Sequence, residues 1–132
     1  MAGAGATTTN GALVVSRAGN LAGAVLTMIP PLENLGGERE ALARRLAARC
    51  RYVPPDTHGA LMVAEGRADV CLQLGGGPWD YAALSVIVRE AGGRFSDLAG
   101  EDRIDGYGPA LFSNGACHDA ALAALEQRPA VD

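Results

Sequence analysis

The segment from Tyr81 to Ala91 limits this chain more than any other. Read as a helix, it is apolar on nearly all sides until Arg89 and Glu90. A helix of that kind is buried between layers and does not lie on a surface. Gly75-Gly76-Gly77-Pro78 leads into it and Gly92-Gly93 closes it, which is loop chemistry before a helix and stop chemistry after one.

The rest of the chain supplies material for the layers. Leu13–Ser16 and Gly23–Ile29 read as strands, separated by the turn residues Arg17-Ala18-Gly19-Asn20, and Pro30-Pro31 stops the second run. From Glu38 to Cys50, Leu42, Leu46 and Cys50 recur every four residues among Arg39, Arg44, Arg45 and Arg49, which predicts an amphipathic, solvent-facing helix. Arg51–Val53 is a short strand closed by Pro54-Pro55. A second helix runs from residue 57 to about Glu65, with Gly66 supplying its left-handed end. Asp69–Leu74, Arg94–Asp97 and Pro109–Ser113 are the remaining strands, and Asp119–Gln127 is a closing helix. Strands alternating with helices predict an α/β fold: a layered mixed or parallel sheet with helices on both faces, in a single domain over residues 1–132.

Composition removes several function classes. At 132 residues, 48% hydrophobic and 20% charged, neither disorder nor a coiled coil fits. All 11 basic residues are arginines, and the net charge of −4 predicts no nucleic-acid partner. No apolar run is long enough to span a bilayer, and no basic stretch follows Met1, so neither a membrane partner nor a signal peptide is expected. Cys50, Cys71 and Cys117 are odd in number and widely spaced. They predict reduced, mostly buried thiols in a cytoplasmic protein, without a zinc site. With 5% aromatics, the core must be built from Ala, Val, Leu and Ile.

The chemistry centres on Asp80. A carboxylate at the entrance of a buried helix can bind a hard divalent cation, and the free N–H groups there favour an anion beside it. Asp is also a favoured N-cap, which alone accounts for it. Asp56 has the same two readings, as a cap for the helix from residue 57 or as a carboxylate facing a ligand. Gly75, Gly76 and Gly77 form either an anion-binding nest or a plain loop. His58 and His118 are isolated; one is expected on a helix surface and the other near a helix start. Cys117-His118 is a poor catalytic dyad because adjacent side chains point apart. The four clustered arginines Arg44, Arg45, Arg49 and Arg51 read as a solvated face.

Trp79-Asp80-Tyr81-Ala82-Ala83, followed by an apolar run and Glu90-Ala91-Gly92-Gly93, resembles the C-terminal signature of the inositol-monophosphatase family of Mg2+-dependent phosphatases. Gly3-Ala4-Gly5-Ala6 with Asn10-Gly11, Val15-Ser16 with Leu21, Ala64–Asp69 and Ser113-Asn114-Gly115 resemble further stretches of the same family. Pro78, Leu84 and Asp56 look more like its histidinol-phosphatase branch. The resemblance implies the C-terminal domain of that fold, with Asp80 as a metal ligand. Gln73 falls where inositol phosphatases carry a Glu that contacts a substrate hydroxyl. Its neutral amide can hydrogen-bond but cannot pair with a cation. Asp56 falls at a substrate-facing position, although Pro55 before it lacks a backbone donor.

The same resemblance implies that most metal ligands belong to an N-terminal domain, with a Glu-Glu pair and an Asp-Pro-x-Asp-Gly-Thr turn. Neither motif occurs here, and residues 1–32 contain no carboxylate. Asp102-Arg103-Ile104-Asp105-Gly106-Tyr107 lacks the Pro and Thr and reads as a surface turn. One Mg2+ binds weakly to one carboxylate, so the chain is expected to be a very poor phosphatase alone. Its expected partners are an N-terminal phosphatase half, a second copy of itself, or a small phosphorylated molecule. The alternative reading is a half-domain recruited as a homodimeric binding module or for a metal-free reaction. An exposed apolar patch predicts self-association in that case.

Overall fold

The computed structural model describes residues 7–8, 11–75, 78–102 and 109–126, with side chains from 13–75, 81–102 and 109–126. A small antiparallel pair, β1 (Thr7–Thr8) and β2 (Gly11–Ala12), precedes the main sheet. The main sheet contains β3 (Val25–Ile29), β4 (Arg51–Tyr52), β5 (Val70–Gln73), β6 (Arg94–Asp97) and β7 (Ala110–Ser113) in the order β4-β3-β5-β7-β6. β3 is parallel to β4 and β5, whereas β7 is antiparallel to β5 and β6. The helices are α1 (Gly37–Ala47), α2 (Gly59–Ala64), α3 (Pro78–Glu90) and α4 (His118–Glu126).

Alternation along the strands divides the core into two layers. Leu26 and Met28 of β3, Val70 and Leu72 of β5 and Leu111 of β7 pack with Ala43 and Leu46 of α1 and Ala121, Ala124 and Leu125 of α4. Cys71, Phe95, Ala110 and Phe112 point the other way, toward Ala60 and Val63 of α2 and Tyr81 and Val88 of α3. Helices therefore cover both faces of a mixed sheet, as the alternation of elements predicts. The second layer has an aromatic centre that composition did not foretell: Phe95 and Phe112 centroids lie 5.0 Å apart, with Tyr81 5.7 Å from Phe95.

Several boundaries differ from expectation for local reasons. Leu13–Ser16 is not a strand. It crosses the ends of α2 and α3, tied by Val15 N–H to Ala91 O at 3.0 Å. Gly66 and Gly93 make room for it: a Cβ on Gly66 would come within 3.0 Å of Val14 O, and one on Gly93 within 3.1 Å of Val15 Cγ1. α2 starts at Gly59 and not at residue 57, because His58 is its cap: Nδ1 accepts the Ala60 N–H at 3.1 Å. Asp56 is therefore not the cap. α3 begins at Pro78, which suits a first helical position. Asp80 accordingly sits in the first turn and not at the N-cap. α4 starts one residue early, at His118, so both histidines stand at helix starts and neither on a helix surface. Residues 3–6, Asn10, Gly76, Gly77 and 103–108, on which other expectations rest, lie outside the described residues.

Candidate functional site

β5 runs its C-terminal end toward α3, and Gln73 is its last residue. Gln73 is 3% exposed, and its Nε2 donates to Gly75 O at 2.9 Å. That bond fixes the amide plane and leaves Oε1 buried without a partner. Thr27 of β3 faces the same layer, two positions back along the ladder, since Thr27 pairs with Cys71 and Ile29 with Gln73. Its Oγ1 is also buried and unpartnered. Buried polar atoms are normally satisfied, so the orphaned Gln73 acceptor, on the strand that leads to α3, marks a place where a donor is wanted; the Thr27 hydroxyl, able to donate or accept, lies further back beside Cys71 and Gly59.

The sequence places Trp79 and Asp80 in the first turn of α3, just beyond Gln73 and Gly75; their side chains lie outside the description. The glycine nest reading rests mainly on Gly76 and Gly77, which are likewise outside it. Asp56 is not brought to this place. It is exposed and pairs with Arg67, which also pairs with Glu65 at 3.1 Å. Arg67 precedes the N-terminal end of β5, whereas Gln73 is at its C-terminal end. Among the described residues, no His, Cys, Asp or Glu side chains gather in a group of three that could hold a metal ion.

Two other polar clusters are complete, and neither was expected. At the N-terminal end of β5, Asp69 accepts from Ser16 Oγ and from Val25 N–H at 2.6 Å. Asn114 Nδ2 donates to Ser16 Oγ at 3.0 Å and Ala18 O at 2.8 Å, and its Oδ1 accepts Cys117 N–H at 2.9 Å. His118 lies between two serines. Ser96 Oγ donates to Asp97 O at 2.7 Å, so it accepts His118 Nε2–H at 2.7 Å. Ser113 Oγ accepts Gly115 N–H at 2.9 Å and donates to His118 Nδ1 at 2.8 Å. This network demands a neutral imidazole protonated on Nε2. Burial first, and the Arg94 cation second, lower the His118 pKa to about 4, against a small opposing effect of Asp119.

That geometry disposes of a Cys117-His118 dyad. Both imidazole nitrogens are occupied by serines, and the Cys117 thiol donates to Ala18 O at 3.2 Å. Burial raises the Cys117 pKa, and it raises that of Cys50 to about 11. The only sequence signal for the His118 cluster was the five-residue spacing from Ser113.

A profile described as the inositol monophosphatase family matches residues 1–130. Histidinol-phosphatase from Streptomyces coelicolor is 46% identical over 68 residues, covering 52% of this chain and 25% of that protein. An inositol monophosphatase from Zymomonas mobilis superposes with a TM-score of 0.78 at 23% identity, over 93% of this chain and 51% of that one. An IMPase/NADP phosphatase complexed with Mg2+ and phosphate superposes with a TM-score of 0.71 at 19% identity, over 93% of this chain and 49% of that one. The chain thus spans about half the length of these solved structures and a quarter of the histidinol-phosphatase. The mixed five-stranded sheet with two helices on each face agrees with that likeness, and the chain belongs to the inositol monophosphatase family.

Proposed function

We propose that the chain forms the C-terminal domain of a Mg2+-dependent phosphomonoesterase of the histidinol-phosphatase type and needs an N-terminal half for activity. The observation that carries this reading is the buried, unpartnered Gln73 Oε1 beside the start of α3. With one Nε2 hydrogen held by Gly75 O, Gln73 offers its buried Oε1 as an acceptor, which suits a substrate hydroxyl or ammonium. Asp80, in the first turn of α3, is assigned one carboxylate of the metal site in the assembled enzyme. The described residues do not make a Mg2+ site by themselves. Asp56 remains a second substrate contact only if it exchanges Arg67 for substrate, which a solvent-exposed ion pair permits at low cost.

The partner half is supported by α3. Ala83 and Val86 of this helix are exposed, Val86 at 50%, although Tyr81, Ser85 and Val88 are buried. A helix made to be covered on all sides is covered here on one. Mixing the chain with the N-terminal half of a histidinol-phosphatase should give Mg2+-dependent phosphate release from histidinol phosphate, and Asp80→Asn should abolish it. Absence of release from every such mixture overturns the reading. Dimerisation of the chain alone, with Val86→Glu dispersing the dimer, would favour the homodimeric module.

A further inference from the structure

A groove of about 480 Å3 lies on the α1 side of the sheet, away from α2 and α3. We propose that it binds a small organic oxyanion, a phosphate or carboxylate group carried on an apolar body. Its volume is that of a small-molecule site. Leu42, Leu74 and Pro109 give it an apolar wall, and Arg39 and Arg45 give it two guanidiniums.

The two arginines differ from those held in ion pairs. Arg44, Arg67, Arg89 and Arg94 each pair with a carboxylate. Among the described residues, Arg39 and Arg45 pair with none. Each is tethered to a backbone carbonyl instead, Arg39 Nη2 to Leu74 O and Arg45 Nη1 to Leu125 O at 2.8 Å. A guanidinium carries five N–H donors, so one tether directs the group and leaves donors for a ligand. Such a pre-set planar fork matches a phosphate or carboxylate. Two oriented cations without counter-charge beside an apolar wall form the complement of an anion with an apolar body.

Glu38 is the one carboxylate in the lining. It belongs to the first turn of α1, where the positive helix end favours it. Among the described residues, no ion pair holds it to either arginine. It weakens anion binding without neutralising the pair. Leu74 directly follows Gln73, the last residue of β5, and packs in the α1 layer, so this groove opens on the other face of the sheet from the buried Gln73 Oε1.

The test is a titration of the full chain with phenyl phosphate in EDTA, followed by amide NMR, so that no divalent ion is available to the phosphatase site. Saturable shifts in α1 and at Leu74 are expected. Arg39→Gln with Arg45→Gln should weaken binding at least about tenfold, the scale of one lost charge-assisted hydrogen bond. Ala41→Trp, which fills the groove but keeps both guanidiniums and their tethers, should abolish it while the thermal midpoint is kept. Glu38→Gln should tighten it several-fold. Lack of saturation, survival of binding in Ala41→Trp, or inorganic phosphate binding as tightly as phenyl phosphate overturns the proposal. Loss in Asp80→Asn with retention in Ala41→Trp also overturns it, by moving the ligand to the phosphatase site. Failure of phosphatase assembly leaves these readouts untouched, so the two readings stand or fall separately.

Discussion

The two ends of β5 are built on opposite terms. At the N-terminal end, Asp69, Ser16, Asn114 and Cys117 exchange hydrogen bonds until each of these side chains has a partner. At the C-terminal end, Gln73 keeps a buried acceptor that bonds to nothing, and Thr27 beside it keeps another. The same strand thus joins a satisfied clip to an end with an unsatisfied buried acceptor. A satisfied network rigidifies a fold, whereas an orphaned group stores a penalty of about 1–3 kcal/mol that a ligand can relieve. The difference separates residues that hold this molecule together from residues that await something.

The comparison can be broken most forcefully at the clipped end. A Cβ on Gly93 would collide with Ser113 O and come within 2.7 Å of Val88 Cγ1. Backbone cannot move aside as a side-chain tip can, so Gly93→Ala should cost about 4 kcal/mol, read as a shift of the urea midpoint or as failure to fold. A gain or no change would show that the clip is loose.

Acid tests the His118 cluster with a definite sign. Its folded pKa is about 4 against an ordinary 6.5, so the native state binds fewer protons than the unfolded one between those values. The contribution is present above pH 6.5 and is lost as the pH falls toward 4, by about 3 kcal/mol in all. Urea titrations at a series of pH values should show that slope in the parent. It should be absent from His118→Gln, and a parallel slope in the two proteins would contradict the neutral assignment.

Asp69→Ala removes the acceptor of both Val25 N–H and Ser16 Oγ and should cost about 2 kcal/mol, seen as a lower melting temperature. At the other end the expected sign reverses. Thr27→Val deletes a hydroxyl that bonds to nothing and should leave stability unchanged or raise it by up to about 1 kcal/mol, whereas Gln73→Met removes the orphaned acceptor together with the Nε2 bond to Gly75 O and should cost no more than about 1 kcal/mol. In the assembled phosphatase, Gln73→Met should instead weaken KM. Destabilisation by Thr27→Val would mean that this end of the strand belongs to the core.

Much of this fold was open to reading because periodicity and punctuation agreed. Arg94–Asp97 is bounded by Gly93 and a turn at Gly100, and its limits are those of β6. Leu13–Ser16 misled because an extended apolar run looks the same whether or not a neighbouring strand pairs with it. Here its partner is the end of a helix. Asp80 misled because Pro78 moved the helix start forward by three residues, from Tyr81 to Pro78. Gln73 was singled out by family resemblance, but its orphaned oxygen could not be read from sequence, since satisfaction depends on which groups meet in space. The Ser96–His118–Ser113 and Asp69–Asn114 clusters were invisible for the same reason: their members come together only when β6, β7 and α4 are folded against each other.

Cys71 stands fully buried on β5, and a Cβ on Gly59 would lie 2.6 Å from its sulfur. Cys117 is equally enclosed, while Cys50 is half-buried. The chain therefore carries a graded set of natural probes. An alkylating reagent reaches Cys50 first, and it reaches Cys71 only when α2 lifts from the sheet. The rate at which Cys71 is modified measures how often that layer opens, so the docking of any partner on the α2–α3 side becomes countable without adding a label.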